Sequence, residues 1–371
     1  MIYLDNNAMA SLEPGLLQFL QRLFCEGIYA NPSSVHSAGK KSRKIIHETT
    51  ALIQKTLSFS GQVIYTASAT ESLNLAIASL PKGSHVITCS CEHPAIIEPL
   101  RNAHLSVSYL DPQLGNCTIL PEQIEAAITP TTSALVLGWV NSEIGAKINI
   151  EAIATIAKQH NLQFIVDATA IIGREKVIIP KGVTMLAFSG HKFHALSGIG
   201  ALLISPGVKV SPLLWGGGQQ GGMRSGTENL WGIASLYYIF NILDIKQEEI
   251  ASTIVQYRDY FEISLKKRIP EIRIHCENQS RVNNVSAIAF PPLEGEVMQI
   301  ALDVEGIACG YGSACSSGAT TAFKSLVSMK IDQDISLATL RFSFSHLLTQ
   351  EDLDLAIEKI VKVSTHLRNA W

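Results

Sequence analysis

Two spacings alternate along this chain. Short apolar runs bounded by polar or glycine residues read as buried strands at 2–4, 62–66, 85–89, 106–110, 133–140, 164–166, 185–188 and 200–204. Between them, apolar residues recur at helical spacing over 16–24, 40–57, 73–79, 120–128 and 150–160, with a further helix opened by Pro94. This strand–helix alternation predicts an α/β fold with a mainly parallel sheet covered on both faces. After 204 the pattern changes. A glycine-rich loop (215–229) leads into two long helices, 227–246 and 247–268, the second closed by Pro270. A strand at 283–290, a helix at 296–305, a strand at 341–344 and a helix at 350–367 then read as a smaller α+β unit. The expected division is 13–255 for the large unit, with 1–12 and 256–371 in the small one.

In an open α/β sheet, ligands sit beyond the carboxyl ends of the strands. The predicted strand ends carry His93, Asn141, Asp167, Ser189, His191 and Lys192. A lysine and an aspartate so placed read in two ways. They form a salt bridge, or they form a pyridoxal 5'-phosphate (PLP) site, where the lysine amine binds the cofactor and the aspartate holds a proton on its ring nitrogen. The clustering of six polar side chains at one edge favours the second. The small and hydroxyl residues at 67–72 open a helix, and exposed N–H groups there suit a phosphate; an ordinary hydroxyl cap reads the same way. Pro32 turns Asn31 away from helical geometry, which makes it either a site contact or a turn residue. The loop 215–229 lacks the GK[ST] ending of a P-loop, but Ser225 and Thr227 are candidates for a phosphate contact.

Composition narrows the classes. Hydrophobic residues at 47% against 16% charged residues, over 371 positions, allow a large buried core. A net charge of −3 without a long basic run argues against a nucleic-acid surface. No basic segment followed by an apolar stretch opens the chain, and the late apolar stretch 230–245 is short and carries Asn241 and Asp244, so a cytoplasmic protein is expected. The seven cysteines are odd in number and irregularly spaced, which argues against a disulfide framework. Cys89, Cys91 and His93 lack a second pair at zinc spacing, and His191 and His194 lack the glutamate of HExxH, so no metal is expected. Around Cys315 there are only glycine, serine, alanine and threonine. Without apolar neighbours to bury it, that thiol reads as exposed and reactive, whereas Cys309 reads as buried. Arg341 lies on a strand and can bind a carboxylate through two nitrogens.

Together, YLDNNA, NPSS, TASATES, EHPA, VNSEIG, VDAT, SGHK, GGGQQGGMRSGT, GSACSSG and RFSF resemble the cysteine desulfurases of the NifS/IscS kind, in the class V aminotransferase group of PLP fold type I, over nearly the whole chain. The resemblance implies an aspartate-aminotransferase-like fold and a homodimer that removes sulfur from L-cysteine. It implies that Lys192 holds PLP and takes the Cα proton, that His93 stacks on the ring and moves protons, and that Asp167 pairs with the ring nitrogen. Ala69, Thr70, Ser189 and His191 would bind phosphate, with Thr227 reaching across from the second subunit. Asn31, Asn141 and Arg341 would hold the substrate carboxylate, and Cys315 would accept the sulfur for an iron–sulfur scaffold or another carrier.

The chain departs from the family pattern at several points. Ala170 stands where a glutamine is usual, Ala195, Leu196 and Ser197 replace GPK, and Ser142 replaces an asparagine. The longer tail that docks the scaffold protein in housekeeping members is not expected after Trp371. Losing one neutral hydrogen bond at Ala170 costs about 1 kcal/mol, so activity is expected to survive. Two other readings stay open: another class V PLP enzyme, such as a selenocysteine lyase or an aminotransferase, and a non-catalytic homologue retained as a partner.

Overall fold

The computed structural model describes residues 1–312 and 322–370. In chain order the elements are β1 (Ile2–Tyr3), α1 (Leu16–Cys25), α2 (Ser37–Thr56), β2 (Gln62–Thr66), α3 (Ala69–Ala78), β3 (His85–Cys89), α4 (Pro94–Asn102), β4 (Ser106–Leu110), α5 (Pro121–Ala127), β5 (Thr132–Gly138), α6 (Ile150–Gln159), β6 (Gln163–Asp167), β7 (Met185–Ser189) and β8 (Gly200–Ile204). There follow α7 (Leu230–Arg268), β9 (Arg273–Ile274), β10 (Val285–Ala289), α8 (Gly295–Val304), β11 (Ile307–Ala308), β12 (Gly310–Tyr311), α9 (Lys324–Ser328), α10 (Gln333–Leu337), β13 (Thr339–Ser343) and α11 (Gln350–Ala370).

The large sheet has the order β2-β8-β7-β6-β5-β3-β4. The pairs from β7 through β4 are parallel, while β8 runs against both neighbours. The reversal has a local cause. A parallel return needs a crossover of a dozen or more residues, usually a helix, and the segment between β7 and β8, 190–199, is shorter and carries no α-helix. Lys192 sits in that turn, so the hairpin presents it at the carboxyl end of β7. Successive strand residues face opposite sides. On one face, Val86, Val136, Ile165 and Ala187 meet Leu73 and Ala76 of α3 and Ile96 of α4. On the other, Ile87, Leu135, Phe164 and Leu186 meet Ile53 of α2 and Ile233 and Phe240 of α7. Burying each such side chain contributes about 1.5–3 kcal/mol.

The smaller sheet is antiparallel, in the order β12-β13-β10-β9. The chain's first strand pairs with β11, and Ser343 N–H donates to Leu4 O, so residues 2–5 lie beside this sheet. Two expectations are corrected. The helices expected at 227–246 and 247–268 are one, α7, which runs unbroken from Leu230 to Arg268. The polar stretch Lys246–Glu249 consists of good helix formers and so does not break the helix; Gln247 is buried there and donates to Glu175 O. The cysteines, expected to form no disulfide framework, include one bonded pair: Cys117 and Cys276 form a disulfide with an S–S distance of 2.28 Å. The fold joins them although their sequence separation is 159. Cys309 is buried as expected, and burial pushes its thiol up to about 12. Among the described residues no helix is long and apolar enough to cross a membrane.

Candidate active site

Four adjacent strands, β3, β5, β6 and β7, end at one crevice. The expected residues arrive there for separate local reasons. His93 lies after β3 and caps α4; its Nδ1 accepts from Ala95 N–H at 3.1 Å, so the neutral ring carries its proton on Nε2. Asp167 is the last residue of β6, and its Oδ1 accepts from Thr169 N–H at 2.9 Å. Lys192 follows β7; its Nζ donates to the carbonyls of Asn7 at 2.9 Å and Ala8 at 2.8 Å. Asn141 lies beyond β5, with its Oδ1 accepting from Glu143 N–H and Ile144 N–H. Its Nδ2 points to Cys91 Sγ at 3.6 Å.

The electrostatics tie these groups together. His93 keeps part of its surface in solvent, yet enough protein surrounds the ring that burial is the largest influence on it. Burial lowers its proton affinity, Asp167 raises it, and Lys192 and Lys324 lower it further. His191 is also held below the usual imidazole range, by burial and by Lys192. Both rings are therefore neutral at pH 7.

The turn expected to meet a phosphate lies at the start of α3. Ala69 is buried and its N–H donates to Ser189 Oγ at 2.7 Å; Thr70 is exposed beside it. Gly200 stands across from this turn, and a Cβ there would lie 2.5 Å from Phe188 O and 2.8 Å from Ser68 C. Only a residue without a side chain lets β8 pass this close to Ser68.

The remaining expectations separate. Arg341 on β13 reaches the site: its Nη2 pairs with Asp5 at 2.8 Å and its Nη1 donates to Ser142 O at 3.2 Å. Asn31 is exposed, and its Oδ1 accepts from Ser33 N–H at 2.9 Å, which is the turn arrangement. Thr227 is exposed on the glycine-rich loop. Cys315 lies outside the described residues.

Sequence reasoning missed several participants. The backbone carbonyls of Asn7 and Ala8 hold the lysine, Asp5 holds the arginine, and two half-buried acids, Glu92 and Glu143, follow β3 and β5. Glu92 accepts from Gly138 N–H at 2.9 Å, and burial pushes it up to about 8. The one available signal was that acids stood inside the quoted motifs. Nothing in a single chain separates a buried acid from a solvated one.

This set suits PLP. It offers an amine on a turn, a carboxylate on the neighbouring strand, a neutral imidazole, and a helix N-terminus with a hydroxyl for an anion. Thr169, two residues after Asp167, adds a buried hydroxyl without a partner among the described residues.

The comparisons agree with this geometry. The aminotransferase class-V family model matches residues 2–355. A cysteine desulfurase IscS of Dictyoglomus turgidum is 30% identical over 99% of this chain and 95% of its own length. Cysteine desulfurase 2 of Trichormus variabilis is 33% identical over 99% of this chain and 94% of its own. Among solved structures, a NifS-like protein from Rickettsia africae has a TM-score of 0.88 at 27% identity, covering 98% of this chain and 99% of that one. A chain described as SspA in complex with cysteine has a TM-score of 0.82 at 25% identity, covering 94% of this chain and 100% of that one. The chain belongs to the class-V aminotransferase family, within its PLP-dependent cysteine desulfurases of the NifS/IscS kind.

Proposed function

We propose that the chain takes sulfur from L-cysteine, releases L-alanine and leaves a persulfide on Cys315. The observation that carries this reading is the convergence of Lys192, Asp167, His93 and Asn141 at the ends of adjacent strands, with Arg341 opposite, in a chain related over its full length to cysteine desulfurases.

PLP, when bound, supplies a sink for the electron pair left at the substrate Cα. Lys192 would hold the cofactor through Nζ and then take the Cα proton on the same atom. As a free amine, Nζ donates to the Asn7 and Ala8 carbonyls, contacts it would give up on taking the cofactor. Asp167 would hold a proton on the ring nitrogen. His93 would lie against the ring and move protons through Nε2, because Nδ1 is committed to Ala95 N–H. Ala69 and Thr70 N–H, Ser189 and His191 would bind the phosphate, and Thr227 would complete that site from the partner of a homodimer. Arg341 and the Asn141 amide would bind the substrate carboxylate, which exchanges with Asp5 for the guanidinium. Asn31 would close the carboxylate site. Cys315, as thiolate, would attack the substrate sulfur; the carbon–sulfur bond breaks with its electron pair going to carbon, and carbon is then protonated to alanine. The persulfide would pass to an iron–sulfur scaffold or another sulfur acceptor in the cytoplasm. The division into 13–255 and 1–12 with 256–371 is part of the same reading, with the cysteine segment belonging to the smaller unit.

The test is alanine production from L-cysteine with a thiol reductant, on wild type and Cys315→Ala, with PLP content measured on the same samples. Alanine from wild type and none from the PLP-loaded variant is expected. PLP bound with no alanine from either protein would point to another substrate and end this reading.

A further inference from the structure

Residues 5–8, Asp-Asn-Asn-Ala, form a turn after β1, closed by Ala8 N–H donating to Asp5 O at 3.0 Å. The turn touches several parts of the site. Its Asn7 and Ala8 carbonyls accept from Lys192, and Asp5 pairs with Arg341. The side chain of Asn7 is used by none of the roles above. It is buried, at 4% exposure, and its Nδ2 donates to Ser142 O at 2.6 Å.

Ser142 belongs to the turn that carries Asn141. There Asn141 Oδ1 accepts from Glu143 N–H at 3.0 Å and Ile144 N–H at 3.1 Å, so the nitrogen end of its amide is turned away from its own backbone. Gly145, with a φ of +77°, donates its N–H to Asn141 O at 2.8 Å.

The main chain of Asn7 is tied to the strand that carries Arg341. Asn7 N–H donates to Ser343 Oγ at 2.8 Å, and Asn6 Nδ2 donates to Ser343 O at 3.0 Å. Ser343 stands two residues after Arg341 on β13, and residues so spaced share a face of a strand. Asn7 thus bridges the two pieces that bear Asn141 and Arg341, its main chain on β13 and its side chain on the Asn141 turn. Arg341 makes a second bridge between them, from Nη1 to Ser142 O at 3.2 Å. A carbonyl oxygen has two lone pairs, and Ser142 O accepts both donors. A guanidinium that also turns to a substrate is a poor fixed tie, whereas the shorter bond from Asn7 is free of that second duty.

We propose that Asn7 is a positioning residue for the substrate carboxylate, its amide setting the spacing between Asn141 and Arg341. The proposal rests on the reading of the carboxylate site given above. Two donors meet one carboxylate well only at a fixed separation, and a misplacement of about 1 Å costs on the order of a hundredfold.

Asn7→Ala and Asn7→Leu both remove the donor, and leucine keeps a branched side chain of similar size. The carbonyl that faces Lys192 is main chain and stays in both. Each PLP-loaded protein is titrated at equilibrium with L-alanine and with ethylamine, the same amine without its carboxylate, and followed by cofactor absorption. The ratio of the two dissociation constants reads what the carboxylate contributes, and damage common to both ligands cancels. Arg341→Met is the reference for loss of the carboxylate site. Wild type is expected to prefer L-alanine, and Arg341→Met to lose most of that preference. In both Asn7 variants the preference should fall on the order of tenfold, with ethylamine affinity and retained PLP close to wild type.

A preference unchanged in the Asn7 variants, while Arg341→Met loses it, overturns the proposal and leaves the reading of the site standing. Equal weakening of L-alanine and ethylamine in the Asn7 variants shows that Asn7 serves only the fold, and also overturns it. A wild type that does not distinguish the two ligands, or an Arg341→Met variant that distinguishes them as well as wild type does, ends the reading of the carboxylate site and the proposal with it.

Discussion

At the scale of single residues, charge state in this site follows from enclosure more than from residue type. Glu92 lies beside His93 in sequence, yet it is held up to about 8 by burial, with Asp167 nearby adding to the effect. It therefore carries a proton at pH 7 and acts as a neutral hydrogen-bonding group toward Gly138. Its folded-state value lies above the ordinary 4.5. The stability it contributes is therefore complete below pH 4.5 and is lost as pH rises toward 8. Glu92→Gln mimics the protonated acid. Urea denaturation should find it close to wild type near pH 5 and more stable than wild type by on the order of a few kcal/mol at pH 8.5. A difference that does not widen with pH would show that Glu92 is ionised in the folded protein. Asp5 illustrates a second point. It pairs with the guanidinium of Arg341 at 2.8 Å, so that cation is not left buried alone.

Elements place these residues. Because β7 and β8 form a hairpin, Lys192 rides on a turn fixed at both ends by sheet hydrogen bonds, with Gly190 N–H donating to Ile199 O at 2.9 Å. The other end of that turn is Gly200, where β8 passes Ser68 at the entrance of α3. Gly200→Ala should push the hairpin and the Ser68 turn apart. The expected cost is about 1–3 kcal/mol in stability, with a larger fractional loss of retained PLP after ultrafiltration than of folded protein. Wild-type PLP retention by this variant would show that the hairpin and the turn adjust independently. α7 works in the opposite sense. Its unbroken course from Leu230 to Arg268 packs first on α2 over the large sheet and then beside α11 near the small one, which makes it a rigid strut where a break between two helices was expected.

For the whole molecule, the disulfide between Cys117 and Cys276 joins the loop that precedes α5 to the segment that follows β9. Closing a loop with a sequence separation of 159 restricts the unfolded chain, and chain-entropy models put the gain at about 5 kcal/mol. A dithiol reductant should therefore lower the urea midpoint of the wild type, and Cys117→Ser should start at the lower midpoint and lose the sensitivity. A midpoint indifferent to reductant in both proteins would show that the bridge adds no stability in solution. The pair also lies in the small apolar cluster with Ile144, Phe323 and Leu326, so the bridge is built into the same part of the molecule as the Asn141 turn and α9.

What the sequence determined by itself was local and periodic. The strands of the large sheet were legible because apolar runs bounded by polar residues have few other uses, and strands β2, β3, β4 and β8 begin and end where the pattern does. His93, Asp167, Ser189 and Lys192 were legible because a polar residue that closes a buried strand must sit at the sheet's edge, and in a parallel sheet those edges share one side. The family motifs then supplied roles that spacing alone left open between a salt bridge and a cofactor site. Only the tertiary structure decided the rest. The pairing of Arg341 with Asp5 spans nearly the whole chain, and the contacts of Lys192 with Asn7 and Ala8 run from one end to its middle. The burial that neutralises Glu92 and encloses Glu143, and the bond between Cys117 and Cys276, are likewise products of packing. Their physical reason is shared: an interaction between distant segments, and the loss of water around an acid, exist only once the chain has folded, and no residue carries either property in its identity.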